Sequence, residues 1–361
     1  MKLRLETIVL QEMVAKAVKG AANNKMIPIT SLMAIELKDN RLVITTTDAS
    51  NTLKIVKDGV EGDDFYVVVP VEMFSKLIAK TTADSVLLTL TDGSLVVKGN
   101  GTYTVELPLD EDGQLIKFPE YQFDTSLPKS TIKRSTVVSM LSANKAALAD
   151  TLEIPCLTGY YCMNGKVITT DTFKVCGNKI DAFSNPVLIP AELLELLSVT
   201  DEEVITVQQA GGKILFTTKN VIIYGAELDG IDEFPVEAIE DYLETSFDSY
   251  CKVPKQTLLN VLDRLALFIS PYDKNGLYLT FNEQELVINS KRSNGTEAIK
   301  YKEVNNYKPY TCYIDIELFR SQINAQDTET VELWYGHETA IKMVCGNVTQ
   351  VVALLEDDRN E

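Results

Sequence analysis

The stretch Lys166–Val175, KVITTDTFKV, alternates apolar and polar residues as far as Asp171 and restarts as a second short apolar segment. Alternation at period two marks a half-buried strand. The chain says nearly the same thing at Leu42–Asp48, LVITTTD, and more weakly at Leu286–Ser290, LVINS. Ile44, Ile168 and Ile288 stand 124 and 120 residues apart, so three copies of one unit are expected.

The length supports that expectation, since 361 residues suffice for two or three domains, each with its own core. No apolar run reaches the about 18 residues that a membrane span needs. Arg4 and Glu6 interrupt what would have to be the apolar part of a leader in MKLRLETIVL, so a cytoplasmic protein is expected. The six cysteines (Cys156, Cys162, Cys176, Cys251, Cys312 and Cys345) form no CxxC pair and read as reduced core thiols. The one histidine, His337, reads as a loop residue beside Gly336, so neither a metal nor a cofactor is expected. A formal charge of −18 argues against coating nucleic acid with the whole surface, while leaving room for a local basic lining.

Along the chain, helical spacing predicts a one-sided helix over 6–24, followed by strands at 32–37, 41–47 and 52–57. Phe65–Pro70 then reads as a strand, 71–80 as a shorter helix, and 85–91, 94–98 and 102–107 as strands. The order recurs with helices at 130–148 and 191–197, where Val187–Pro190 repeats the Val-Val-Val-Pro ending at Pro70 exactly one period of 120 residues later. It recurs again with helices at 255–269 and 317–323. Joins around 124–129 and 244–250 are short. The expected fold class is α+β: three repeated domains (1–124, 125–246 and 247–361), each a pseudo-duplicated unit of a helix plus antiparallel strands.

Catalytic signatures do not fit. Five residues separate Gly159 from Gly165, where a phosphate loop needs four, and Val167 stands where that loop needs Ser or Thr. Gly99-Asn100-Gly101 lacks the third glycine of a dinucleotide loop, and there is no GxSxG or HExxH. Asp63-Asp64 and Asp357-Asp358 read as solvated turn and tail charges.

The order of short motifs resembles the bacterial sliding-clamp family, the β subunits of DNA polymerase III. A helix ending near Asn24, Ile27-Pro28-Ile29 and a strand ending Thr47-Asp48 follow the family's beginning. Ile154–Gly159, IPCLTG, resembles its Arg-Pro-x-Leu-Thr-Gly, and Thr170–Val175 stands where the family has Thr-Asp-Gly-His-Arg-Leu. Asp229-Gly230 with Phe234-Pro235 resembles its Asp-Gly-x-Phe-Pro. The resemblance spans essentially the whole chain and departs at Thr172, which replaces a glycine, and at Phe173-Lys174, which replaces His-Arg.

The resemblance implies a non-enzymatic replication processivity factor. Two copies would close head to tail as a homodimer, a ring with helices lining the hole and sheets outside, around duplex DNA held without sequence preference. The DNA-facing positions would be Lys16, Lys19, Lys25, Lys76, Lys80, Lys133, Arg134, Lys145, Lys255 and Arg264. With their flanks, Lys252 included, the six helices carry a net +6 in a chain of −18; solvated helix faces are the competing reading. Replicative polymerase, clamp loader and repair proteins would dock short peptides in a hydrophobic pocket. Its implied residues are Leu157, Thr170, Thr172, Phe173, Lys174, Val175, Pro235, Val351, Val352, Ala353, Leu354 and Leu355, each of which core packing would explain when taken singly. The acidic tail Glu356–Glu361 would shift partner preference or cover part of that pocket. Tyr103, Val105, Leu107, Phe268 and Ile269 would meet across the subunit joint, core packing again being the alternative. The competing function is a non-encircling acidic clamp-like scaffold or inhibitor of replication.

Overall fold

The computed structural model describes every residue except Glu111, Tyr121, Gln122, Thr125, Asp181, Ser184, 270–274, Ser293 and 358–361. The chain begins with β1 (Lys2–Glu6), α1 (Thr7–Ala17), β2 (Leu32–Lys38), β3 (Arg41–Thr47), β4 (Thr52–Asp58), β5 (Phe65–Pro70), α2 (Val71–Ala79), β6 (Ser85–Thr91), β7 (Ser94–Lys98) and β8 (Thr102–Glu106). It continues as β9 (Ser130–Lys133), α3 (Arg134–Ser139), β10 (Gly159–Met163), β11 (Lys166–Thr170), β12 (Lys174–Lys179), β13 (Val187–Pro190), α4 (Ala191–Glu195), β14 (Val204–Ala210), β15 (Lys213–Thr217), β16 (Val221–Ala226) and α5 (Val236–Glu244). The remainder is β17 (Ser249–Pro254), α6 (Lys255–Ala266), β18 (Gly276–Phe281), β19 (Glu285–Ser290), β20 (Thr296–Lys300), β21 (Glu303–Asn305), β22 (Tyr310–Asp315), α7 (Ile316–Ala325), β23 (Thr330–Tyr335), β24 (Ala340–Cys345) and β25 (Val348–Ala353). No helix among the described residues is long and apolar enough to cross a membrane.

The α+β repeat is present, with one refinement. Each of six helices (α1, α2, α3, α4, α6 and α7) is entered directly from a strand. The sequence reading lacks β1, β9 and β17: β9 falls in the predicted helix 130–148, and most of β1 and β17 in stretches given no element, because a single strand–helix boundary carries no turn signal. The first helical amide is bonded alike in each third of the chain: Thr7 N to the Asp84 carbonyl at 3.0 Å, Arg134 N to Glu203 at 2.8 Å and Lys255 N to Glu329 at 2.9 Å. Those bonds satisfy a donor that a helix start would leave orphaned. Pro70 and Pro254 precede α2 and α6 without a side-chain cap, whereas Asp315 caps α7 by accepting from Glu317 N and Leu318 N at 2.8 and 3.0 Å.

The chain forms two compact units, Met1–Ser135 with Glu192–Glu227, and Thr136–Ala191 with Leu228–Glu361. The first holds an eight-stranded sheet, β5-β2-β3-β4-β16-β15-β14-β9, and a four-stranded one, β1-β6-β7-β8. The second holds a nine-stranded sheet, β13-β10-β11-β12-β25-β24-β23-β17-β21, and a four-stranded one, β20-β19-β18-β22. All pairs are antiparallel; the long sheets are sewn where β4 meets β16 (Leu53 opposite Ile223) and where β12 meets β25 (Val175 opposite Val351).

In the first unit α1 packs against α2 and over β3 and β4, burying Leu10, Met13, Val14 and Ala17. In the second, α6 packs against α7 and buries Leu258, Leu259, Val261, Leu262 and Leu265, worth on the order of 10 kcal/mol before ordering costs. Five of the six cysteines are buried, and burial pushes the Cys162, Cys176, Cys251 and Cys312 thiols up, away from the reactive thiolate. His337 lies in the loop between β23 and β24, against the Phe247 ring at 5.4 Å.

After α3 the backbone widens into a π-type turn over Met140–Asn144. Asn144, fully buried, fixes that turn to the nine-stranded sheet. Its amide donates to the Cys176 carbonyl at 3.1 Å and the Val167 carbonyl at 3.4 Å, it accepts from Asn178 Nδ2 at 3.3 Å, and its own carbonyl accepts from the Thr169 hydroxyl at 2.8 Å. Asn144→Leu removes the amide that serves the Cys176 and Val167 carbonyls, while the Thr169 bond to the backbone and the Asn178 bond to Ser139 remain; equilibrium urea unfolding should show a loss of about 1–3 kcal/mol.

Candidate functional site

The motif Thr170–Val175 forms the turn between β11 and β12, and local hydrogen bonding explains its shape. Asp171 Oδ1 accepts from Phe173 N at 2.9 Å and Lys174 N at 2.7 Å, an Asx turn. The Thr170 hydroxyl accepts from Thr172 N at 3.0 Å and donates to the Lys174 carbonyl at 2.7 Å. Thr172 sits at φ 79°, the left-handed region that suits a glycine, which strains a β-branched residue. The turn pushes Phe173 outward, 60% exposed, while Lys174 folds back onto Asp171 at 3.1 Å, both largely shielded from water.

Strand pairing brings the expected pocket residues together. Lys174 stands opposite Val352 and Val175 opposite Val351, and Ala353 N donates to the Phe173 carbonyl at 2.9 Å. Leu157, Val175 and Val351 share one buried cluster with Phe234, whose ring stacks on Tyr161 at 4.8 Å. Leu157, Thr170, Val175, Val351 and Val352 are therefore core, whereas Thr172, Phe173 and Pro235 are exposed and Ala353, Leu354 and Leu355 half-buried. Past β25 the chain is held by Leu354 N on the Thr339 carbonyl and Leu355 N on the Tyr313 carbonyl, both at 2.8 Å. Glu356 is exposed, Asp357 accepts from the Tyr278 hydroxyl at 2.6 Å, and 358–361 of the acidic tail lie outside the described residues.

The sequence reading missed α5, leaving the stretch between the strand ending at 228 and the join at 244–250 without an element. Val236, Ile239 and Leu243, spaced by three and four, were the available signal. Ile239 and Leu243 belong to the same cluster as Leu157 and Val175. Gly177 lets α5 approach the sheet, because a Cβ there would stand 2.7 Å from Leu243 Cδ1. Lys166 Nζ reaches Glu240 at 2.8 Å and Glu244 at 3.8 Å, and the Glu240 hydrogen bond holds this ammonium above its usual range.

The basic positions divide. Lys19, Lys25, Lys80 and Lys133 are exposed and carry no ion pair among the described residues, and Lys145 is exposed. Lys16 pairs with Asp201 at 2.5 Å, and that hydrogen bond holds the Asp201 carboxyl below its usual range. Lys76 pairs with Glu72 at 2.6 Å, Arg264 reaches both Glu297 oxygens at 2.8 and 2.5 Å, and Arg134 Nε donates to the Thr200 carbonyl at 2.9 Å. Lys255 bonds the Asn324 carbonyl at 3.1 Å and that of Gln326, at the C-terminus of α7. Lys252, counted with the α6 flank from sequence, belongs to β17 and pairs with Glu303 and Glu332 at 2.9 and 3.4 Å. Acids from outside the helices thus offset part of the positive balance counted along them, although each exposed pair is worth only about 0–1 kcal/mol.

Of the expected joint residues, Val105 and Leu107 are buried in their own sheet, while Tyr103 and Phe268 are exposed and Ile269 is half-buried. β8 and β20 each end a four-stranded sheet, and each is paired along one side. Leu267, missed from sequence because it falls off the period of α6, is 82% exposed beside Phe268.

Thr172→Gly removes the left-handed strain in the β11–β12 turn. It should raise stability by about 1 kcal/mol, read as a shift of the urea midpoint at unchanged slope.

With this geometry in hand, comparison with known proteins is informative. Residues 1–113 match the family model for the DNA polymerase III beta subunit, N-terminal domain. No curated protein matches the chain in sequence. Among solved structures, the Bacillus subtilis DNA polymerase sliding clamp aligns over 99% of both chains at 17% identity and a TM-score of 0.85. The Streptococcus pyogenes DNA polymerase beta subunit aligns over 99% of this chain and 100% of its own, at 17% identity and TM-score 0.87. A Pseudomonas aeruginosa sliding clamp bound to griselimycin gives the same coverage and identity, with TM-score 0.86. The chain therefore resembles the bacterial DNA polymerase III beta sliding clamps, in fold along its whole length and in sequence over residues 1–113.

Proposed function

We propose that this protein is a replicative sliding clamp, a non-catalytic processivity factor acting on DNA inside the cell. Its three repeated domains, 1–124, 125–246 and 247–361, close with those of a second copy, head to tail, around duplex DNA. The observation that carries this reading is the sixfold strand-into-helix repeat in which β8, in the first third of the chain, and β20, in the last, hold the edge position that β4, β16, β12 and β25 use to join sheets, yet are paired on one side only. Such edges are templates for pairing with another chain. A copy's β8 laid against its partner's β20 continues one sheet across the joint, with Tyr103, Leu267 and Phe268 covering it. Two such joints close a ring.

Charge supports the same reading. A chain of −18 repels phosphates over most of its surface, so retention on DNA must come from topology, aided by the exposed lysines of the helix ends. Contacts limited to phosphates carry no sequence information, and each is weak and salt-sensitive, which permits sliding. Polymerase and clamp-loader subunits dock short peptides beside the exposed Phe173, whose carbonyl is bonded to Ala353 N at the end of β25, with the exposed Thr172 and Pro235 as further contacts. A non-encircling acidic scaffold would share the charge but would neither dimerise nor depend on the topology of DNA.

Sedimentation should give a species of twice 40.1 kDa, and loaded protein should stay on circular plasmid and leave once the plasmid is linearised. Phe268→Asp places a charge in the joint and should shift the mass to that of one chain and abolish retention. A wild-type chain that stays monomeric, or that is held equally by linear and circular DNA, refutes encirclement.

A further inference from the structure

We propose an internal water-binding site in the second unit, where the side-chain amides of Gln322, Gln326 and Gln350 hold one water molecule as a structural member of the joint between α7 and the β12–β25 seam. The site belongs to the single chain and depends neither on ring closure nor on a partner peptide.

The joint is polar where a core is normally apolar. Gln350 stands on β25 opposite Cys176. Cys176 packs with Ala143, Ala147 and Val348, under the turn that follows α3, so Gln350 points to the same, helical side of the sheet. Gln322 lies in α7 and Gln326 caps its end, four residues on and therefore on the same face. All three glutamines are buried. Gln322 Nε2 donates to the Ala146 carbonyl at 2.9 Å, which ties α7 to the turn that Asn144 fixes to the sheet. Gln326 Nε2 donates to Gln350 Oε1 at 2.9 Å. Each amide is thus anchored at one end, and the other ends, Gln322 Oε1, Gln326 Oε1 and Gln350 Nε2, have no protein partner.

A buried polar atom without a partner gives up its hydration and gains nothing in exchange, and folded proteins meet such groups with internal water that makes about two to four hydrogen bonds. The three free atoms match one water in kind as well as number. Its two protons serve the two amide oxygens, and one of its lone pairs accepts from Gln350. Turning over both joined amides only exchanges their roles, leaving one free donor and one free acceptor as before. A cation fits badly, because the site offers it two neutral oxygens and faces it with an N–H. At the corresponding seam of the first unit, where β4 meets β16, Leu53 faces Ile223 and Ile55 faces Val221, all four buried. Hydrocarbon closes that seam, so the amides are a feature of the second unit alone and not a requirement of the repeat.

Crystals of the full-length protein that resolve ordered solvent should show one water peak within hydrogen-bond distance of all three atoms, unchanged after a thallium soak. A site without that peak, in which Gln326 and Gln350 instead close on each other through two bonds, overturns the proposal. An anomalous thallium peak overturns it too, because the ligand would then be a monovalent cation. In solution, Gln322→Met and Gln350→Met form a double-mutant cycle read by urea midpoints. No hydrogen bond joins these two side chains, so the water is the partner they share. The midpoint shift caused by Gln350→Met should fall to about half or less once Gln322 is already Met. Equal shifts in the two backgrounds refute a shared water.

Discussion

The antiparallel pairing of strands far apart in sequence, β4 with β16 and β12 with β25, is the constraint on which the remaining structure rests. A half-domain sheet of three or four strands has one face covered by its helix and two open edges. Joining two such sheets at a seam removes an edge from each and extends the buried face. Leu53 and Ile223 at one seam and Val175 and Val351 at the other are all buried, so the seams are held by apolar packing as well as by ladder hydrogen bonds. Pairing at such separations is costly in loop-closure entropy, and only a face already shaped by the helix beneath it repays that cost.

Once the seams are made, the two four-stranded sheets keep the position that elsewhere forms a seam. Their strands β8 and β20 are left with an unpaired side there, each with exposed side chains such as Tyr103 and Glu106 on one and Thr296 and Lys300 on the other. Natural sheets normally blunt such edges. Here both are short and carry charge, which restrains promiscuous pairing, while the apolar Leu267 and Phe268 give a specific partner something to bury. The proposed ring follows from that pairing of features.

Much of this was legible from residue order. Alternation at Leu42–Asp48 and Lys166–Val175 gave strands, and the 120-residue recurrence of a strand ending in proline gave the repeat. The strand–helix junctions at Glu6, Lys133 and Pro254 were less legible, because strand and helix are contiguous there with no Gly or Asn between them. α5 was hidden for another reason: with Glu237, Glu240, Asp241 and Glu244 among nine residues, its polar face masks an apolar stripe of only three. Within the candidate pocket, sequence named residues of β12 and β25 but could not separate Val175, which turns into the core, from Phe173, which turns out; one Asx turn decides that.

Sequence alone therefore determined the architecture: α+β, repeated, with a net acidity that excludes a generally basic surface. Those properties are periodic or additive, so each residue contributes to them whatever its neighbours in space. Which lysines keep their charge exposed was decided by tertiary structure, since Asp201 and Glu297 arrive at Lys16 and Arg264 from distant segments. The fold likewise decided that α5 roofs the seam of β12 and β25, because burial and pairing depend on what the folded chain brings within a few ångströms, which linear order does not encode.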